Sequence, residues 1–596
     1  MSGGGCMKKS RYLFLLVIIC IGCSSLFASQ YPNKQKIFSL DSDVYEAITS
    51  LYVNQGLSLP STTGPYSEAE LVLMLEKIKV NALSGATKAT YEYILEELDI
   101  QPKIQNKGMG LSWDFDANLE TYTHTNTTDF TGRANWNRGY ISQKPLLAIG
   151  LETWPSNNFY GFSEFTVGNT YTLKNGFGST NFSTNILMVS PNVLTDLDFN
   201  MPYRAFISIG GDFWTFQLGR DRLSWGAGES GNLFVGDNIK YHNMARFTAF
   251  GEKYKYTFVT SFFPHPKTYI DDRDIHGNNT NGVVEGEGQT GVLDGIYMFM
   301  AHRLEWRMFN DKVGLTLTES IMYQSEENCI DLRILNPVMI FHDYYIRGNA
   351  NSLLGLELDY TPIHGINLYG QVVVDEFVLP GEPVSSDTVS GFPTSFGYLA
   401  GIKAIFPIGK LMARASLEGA YTDPYLYLRY SSDSGTPSTN AYGLNYVVAI
   451  REFTQQGTFY NSQFLGYKYG GDAIVVNLNG GVKQYGKWNV EANGFYMIHG
   501  TFDMYTRWDQ TGGTHSPIVS TPTTSSTDTA GNYAGDVSNR NSASHTLILG
   551  VNGSYEITSC LKVFGQLDYI NITNYQNVSG AKTQDVQLTV GLTFHL

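Results

Sequence analysis

The chain has 596 residues, is 42% hydrophobic and 14% aromatic, carries only 16% charged residues, and has a formal net charge of −15. Soluble domains hold about 25% charged residues, so this composition, with 39 Tyr and 34 Phe, points away from ordinary soluble domains and toward strands with one apolar and one polar face. The acidic balance argues against nucleic acid, whose phosphates require a basic surface, and the five cysteines have neither zinc spacing nor the number for a disulfide framework.

Met7 reads as the start of an export leader. Lys8, Lys9 and Arg11 form a positive segment, and Tyr12 to Ile21 an apolar one too short to span a membrane as a helix. Residues 1–28 are therefore expected to be a signal peptide, cleaved after Ala28. A lipidated Cys23 after Ile21-Gly22 stays open as the other reading. Cys6, Cys20 and Cys23 lie in the leader, which leaves Cys329 and Cys560, expected as two isolated thiols, with a single bridge between them as the other reading.

Residues 40–100 read as a small helical domain. Val44, Ala47, Ile48, Leu51 and Tyr52 share one face, Leu71, Met74, Leu75 and Ile78 a second, and Tyr91, Ile94, Leu95 and Leu98 a third. Ser67 with Glu70 forms a capping box at the start of the middle helix. Three short amphipathic helices cannot bury three stripes without a partner.

From about residue 108 the period changes to two, and the rest of the chain, 108–596, reads as an all-β transmembrane barrel. Leu111, Trp113, Phe115, Ala117 and Leu119 alternate with Ser112, Asp114, Asp116, Asn118 and Glu120. Gly210 to Asn238 begins in the same way, with Thr215 and Gln217 on one face and Trp214, Phe216 and Leu218 on the other. It then breaks into Arg220-Asp221-Arg222, an aromatic–glycine turn around Trp225, Gly226 and Gly228, and a second apolar piece at Leu233–Val235. This stretch resembles the Wzi family of capsule-assembly outer-membrane proteins through Gly219, Arg222, Trp225-Gly226-Ala227-Gly228, Gly231-Asn232-Leu233 and Asn238. It departs from the family in carrying Ser224 before Trp225 and Ala227 between the glycines. A second block matches the family's middle region: Arg303-Leu304-Glu305-Trp306-Arg307, Leu335-Asn336-Pro337, Asn351 to Leu358, Leu368 to Gln371, and Asp375-Glu376-Phe377.

The alternation continues through Tyr254 to Phe262 and Trp488 to Gly494. It ends with Val586, Leu588, Val590, Leu592, Phe594 and Leu596 facing one way and Gln587, Thr589, Gly591, Thr593 and His595 the other. A barrel's last strand must pair with its first. Long polar stretches at Asp271–Gly291, Pro380–Thr394, Ser431–Asn440 and Arg507–Ser544 are expected as loops on the outer side. At about 10 residues per strand, and by the resemblance, the barrel should have 18 antiparallel strands.

Catalytic motifs are weak. Gly286-Glu287-Gly288-Gln289-Thr290-Gly291 has no strand before it and no helix after it, as a dinucleotide site requires. Asp272–Gly277 starts like a calcium loop but would place Val283 where the closing Glu belongs. No H-E-x-x-H or G-x-S-x-G occurs. The chain is thus expected to be neither enzyme nor metalloprotein, with no cofactor.

Abundant Tyr, Trp, Asn and Asp suit sugar rings and hydroxyls. The resemblance implies an outer-membrane lectin that retains surface polysaccharide, sits in outer-membrane lipid, is inserted by the barrel assembly machinery, and has its helices in the periplasm. A channel for small solutes is the alternative. The candidate ligand-binding or lumen-organising residues are Arg220, Arg222, Trp225, Gly226, Gly228, Asn232, Asn238, Glu305 and Arg307. The bland reading is a demanding turn in which Arg220 or Arg222 pairs with Asp221, Glu229 or Glu305.

Overall fold

A computed structural model describes residues 33–106, 109–130, 137, 143–167, 182–185, 199–200, 204–264, 296–325, 330, 332–336, 350–376, 395–428, 445–454, 457–504, 506, 519–525 and 540–596. The leader, both motif-like stretches at 272–277 and 286–291, Cys329, Pro337 and Phe377 lie outside the described residues.

The alternating segments form one closed antiparallel barrel of 18 strands. They are β1 (Met109–His124), β2 (Leu147–Ser156), β3 (Phe159–Val167), β4 (Ala205–Gly210), β5 (Trp214–Asp221), β6 (His242–Phe250), β7 (Tyr254–Phe262), β8 (Ile296–Met308) and β9 (Val313–Ser325). The ring continues through β10 (Ala350–Ile363), β11 (Ile366–Glu376), β12 (Ser395–Ile408), β13 (Leu411–Thr422), β14 (Ala473–Gln484), β15 (Trp488–His499), β16 (Ser544–Thr558), β17 (Leu561–Thr573) and β18 (Lys582–His595). Each strand pairs with its neighbour, and β18 closes on β1 with Leu592 opposite Leu119 and Phe594 opposite Ala117. Two bonds between Phe115 and Leu596, of 3.0 and 3.3 Å, extend that seam.

Every second residue faces outward. Val586, Leu588, Val590, Leu592 and Phe594 are exposed while Gln587 and Thr589 are buried inside. Around the wall, exposed Leu317, Leu478 and Val551 lie between two levels of exposed aromatics. One level is Trp113, Trp214, Tyr254, Trp306 and Tyr360; the other is Phe165, Phe262, Tyr398 and Tyr496. An apolar band with aromatic girdles is the outer surface a barrel needs in lipid. One patch of that surface is covered by protein: Ile330 and Leu335 pack on Met298, Met300, Ile321, Tyr323 and Ala350, which by strand parity point outward.

Connections are short at one end of the barrel, as at residues 364–365 and 409–410, and long at the other. All four long polar stretches fall between strands at the long end. The N-terminal segment docks on the short-turn end. Its helices are α1 (Asp43–Asn54), α2 (Glu68–Glu76) and α3 (Gly85–Leu98). Ser42 caps α1, and the Ser67–Glu70 capping box opens α2, satisfying donors a first turn leaves free. The expected stripes of α1 and α2 are buried. The third differs. Leu95 is 44% exposed, and the buried face of α3 runs through Ala86, Thr87, Thr90, Ile94 and Leu98, because a one-residue step rotates a side chain by about 100°.

The helices share their apolar cluster with Ile405, Met412 and Tyr485 of the wall, so the barrel end is the partner that three short stripes require. Backbone bonds fix the docking: Ser58 N–H donates to Asp311 O at 2.7 Å and Gly365 N–H to Val53 O at 2.8 Å.

Closure predicts a sharp truncation phenotype. Removing Gln587–Leu596 leaves β17 and β1 with open edges, and the shortened chain should fail to give the heat-modifiable folded band on a gel.

Candidate functional site

Between β5 and β6 the chain turns inward. Residues 222–241 enter the lumen and form, with β-wall residues, its principal apolar core: Trp225, Leu233, Phe234, Val235, Tyr427 and Tyr446 are among its fully buried members. Trp225 N–H donates to Val235 O at 3.0 Å, folding the loop on itself. Above, Gly236 N–H donates to Leu465 O at 2.9 Å, and the Tyr427 hydroxyl bonds Leu233 O.

Beneath, residues 57–67 cross the lumen as a strap. Thr63–Gly64 pairs with Ser224–Trp225 as a short sheet, and Gly226 N–H donates to Thr62 O at 2.7 Å. Inward charges on the wall grip the strap. Arg303 lays both guanidinium nitrogens on the two Glu357 oxygens at 2.8 Å and also donates to Thr62 and Thr63 hydroxyls. Glu305 accepts from Ser61 and Thr63 and pairs with Arg307 at 3.0 Å. Lys255 joins Glu70 at 2.6 Å and Thr63 O at 2.7 Å, and Arg246 donates to Pro65 O at 2.6 Å. These side chains are almost wholly buried, so each charge depends on its partner.

A second set holds the turn of the loop. Glu418 accepts from the Glu229 and Ser230 amides and the Tyr369 hydroxyl, each at 2.8 Å. Gln371 donates to Asn232 Oδ1 at 2.8 Å and accepts from Leu233 N–H at 2.9 Å. Glu229 pairs with Lys403 at 2.6 Å and Arg414 at 3.3 Å. Burial opposes its ionisation, but these two cations prevail and hold its pKa below the ordinary 4.5.

The sequence candidates fall into this plug as follows. Trp225 stacks parallel to Phe234 with Arg303 5.8 Å from its ring, fully buried. Gly226, at φ +135°, occupies a conformation unfavourable for a side chain, and a Cβ there would collide with Asn232 and Gln371; at Gly228 it would collide with Gly231 O. Asn232 bridges Ser224, Gly228 and Gln371. Asn238 donates to Phe464 O at 2.9 Å. Glu305 and Arg307 belong to the strap clamp. Arg220 lies apart, on the wall, over the Tyr241 ring at 3.9 Å and donating to Asn243.

The expected arginine pairings are corrected. Arg222 places Nη1 at 2.9 Å from each oxygen of Asp41 in the N-terminal segment, and its Nη2 donates to Asp237 O at 3.0 Å. Asp221 is paired instead with Arg204 at 2.8 Å. Asp41 approaches only through tertiary folding, which no local spacing reveals. The clamp residues Arg303, Glu357, Lys255 and Glu70 were missed. Their signal was available: Arg303, Glu305 and Arg307 are charges at period two, all on the inward face of one strand.

The other side of the lumen differs in kind. Across β14 to β18 and β1 the register aligns inward polar residues in rows. One row is Asn479, Asn493, Gly550, Asp568, Gln587 and His124. The next is Gly481, Glu491, Asn552, Gln566, Thr589 and Tyr122. Asn479, Glu491, Asn493, Asn552 and Gln566 are only half-buried, unlike the clamp. Carboxamides both donate and accept: Asn493 donates to the Asn477 carboxamide at 2.9 Å, and Gln566 to the Asp568 carboxylate at 2.8 Å. Asn137, from the connection after β1, reaches Asp568 at 2.6 Å and Gln587 at 2.9 Å. Of the inward acids of β1, Asp114 and Asp116 are half-buried, whereas Glu120 is buried and bonded by Tyr122. Among the described residues no three His, Cys, Asp or Glu side chains converge as a metal site requires.

No family model and no curated protein matches the sequence. Among solved structures, Escherichia coli Wzi, described as an outer-membrane protein involved in group 1 capsule assembly and a carbohydrate-binding β-barrel, aligns with a TM-score of 0.55. The identity is 15%, over 94% of this chain and 99% of that one. This chain is similar in fold to Wzi. The outer-membrane channel DcaP of Acinetobacter baumannii aligns at 0.35 with 7% identity, over 83% of this chain and 100% of that one. Pseudomonas aeruginosa OccD3 aligns at 0.37 with 9%, over 82% and 92%. The likeness to Wzi, with the lipid-ready wall, supports an outer-membrane location. The two blocks that resemble the Wzi family meet in space: Trp225 lies by Arg303, and Asn232 by Gln371.

Two variants distinguish the clamp from the outer ion pair. Glu357→Ala strands a buried Arg303 and should cost about 3–5 kcal/mol, seen as lost heat resistance and protease access to the strap. Arg222→Ala removes an ion pair to a well-exposed Asp41 and should cost at most about 1 kcal/mol. Acid should act through Glu229. With its folded pKa depressed, its stabilisation is present above 4.5 and lost as pH falls through the folded value. Protease access to 222–241 should therefore rise in acid, and Glu229→Gln should be open already at neutral pH with a flatter acid response.

Proposed function

We propose that this protein is a non-enzymatic outer-membrane barrel that binds and retains surface, capsule-like polysaccharide. The reading rests on one observation: rows of half-buried carboxamides line one side of a lumen whose other side is filled by a clamped plug. A sugar polymer offers many hydroxyls, each donor and acceptor, and such rows match them without demanding charge. A fixed plug keeps the rows in place, so little ordering cost falls on binding. That the solved structure with the similar fold is described as carbohydrate-binding adds support by analogy only.

In this reading, outer-membrane lipid surrounds the girdled wall and the barrel assembly machinery inserts it. The long connections face outward and the short turns, with the helices, face the periplasm. A channel for small solutes is the second reading, favoured by the same partly solvated lining.

Binding of purified protein to surface polysaccharide, by glycan array and by isothermal titration, separates the two. The proposal expects polymer binding, weakened about tenfold or more by Asn552→Leu with Gln566→Leu while the folded band is retained, and no large stable currents in planar bilayers. Large single-channel currents without polymer binding would establish the channel instead.

A further inference from the structure

The short-turn face carries a groove between α2, α3 and the turn at 211–213 that nothing in the barrel's own function uses. Its floor is apolar: Val72 is 39% exposed, Leu95 44% and Phe213 62%. These are not residues of the stripes that seat the helices on the barrel. Its rim is acidic, with Glu76, Glu96 and Asp99, and the lysine that lines it, Lys34, is already paired with Asp212. The last turn of α3 has no basic residue. Its C-terminal carbonyls add partial negative charge where a cation would be favoured.

Glu68 points to what is missing. It lines the groove yet is only 3% exposed, and its Oε2 has no hydrogen-bond partner among the described residues. Burial, only partly offset by Lys36, pushes its pKa up to about 8. Lys36 is itself committed to Glu152 at 3.3 Å. A buried carboxyl oxygen without a donor is costly, and a cation delivered into the groove would satisfy it.

We propose that this groove docks a Lys- or Arg-bearing amphipathic segment of a second protein, its apolar stripe on Val72, Leu95 and Phe213 and its cation on Glu68. Apolar floor and acidic rim together match a basic amphipathic helix laid in a groove. The acids disfavour an anionic lipid surface. With the leader removed after Ala28 as the sequence leads one to expect, the residues left before Asn33, Ser29-Gln30-Tyr31-Pro32, offer no cation.

Full-length protein in neutral detergent is titrated, by fluorescence anisotropy, with a designed helical peptide of about 15 residues bearing Leu and Lys on opposite faces. Two controls replace every Lys by Glu, or every Leu by Ser. The Lys–Leu peptide is expected to bind at least tenfold more tightly than either control. Glu68→Gln and, separately, Leu95→Lys should each weaken it about tenfold, with heat resistance of the barrel unchanged. Equal binding of the Lys and Glu peptides overturns the proposal, as does binding indifferent to both substitutions. So does binding that appears only after residues 29–32 are deleted, which would make the chain its own occupant. Preferential capture of the protein by vesicles of anionic phospholipid, with no peptide binding, would assign the groove to lipid and equally overturn it.

Discussion

A sheet standing in lipid can have no open edge, because an unpaired N–H or C=O there has no water to bond. The seam between β18 and β1 meets that constraint, and the rest of the architecture is its consequence. Closure divides every strand into an outward series that meets hydrocarbon and an inward series that must find something else. The outward series is uniform; the inward one is not. On one side it grips protein, and on the other it keeps polar groups partly wet.

The gripped side is a second hydrophobic core enclosed by the first sheet, with charges at its border. Arg303, Glu357, Glu305, Arg307 and Lys255 would be expensive in such a place if any stood alone. They are tolerable because each is paired with an opposite charge, and strap hydroxyls and a strap carbonyl add bonds to Arg303, Glu357, Glu305 and Lys255. The strap is thus recognised by polar geometry as much as by packing. That recognition gives the loop around Trp225 a floor to rest on.

Much of this was legible in the sequence, and the limits have physical causes. Strand alternation is local, so β1, β7, β15 and β18 could be read directly, whereas the number 18 also leaned on the family resemblance. The capping box at Ser67 and Glu70 is equally local. Arg220 and Asp221 still pair in β5, beyond the break expected after Leu218; the loop that does fold inward begins at Arg222, where the glycines through Gly228 end the strand. What could not be read is who meets whom. Arg222 finds Asp41, 181 residues away, and Glu418 finds Ser230 across 188. The strap at 57–67 has no periodicity of its own; its structure exists only against the wall. Leu95 was misassigned because helical period alone cannot say which of two adjacent apolar residues, Ile94 or Leu95, faces the partner.

The order of layers in the lumen has a kinetic meaning. The strap comes from the N-terminal segment, and the loop resting on it joins β5 to β6. The layer above, with Tyr427 and Leu465, arrives only after β13. Chain made early is therefore sandwiched beneath chain made late, inside a ring whose seam is the last strand. A wrapping order, in which a partly curled sheet gathers its contents before it seals, fits this layering. The slow step of biogenesis then belongs to long-range encounters between distant segments, not to strand formation itself.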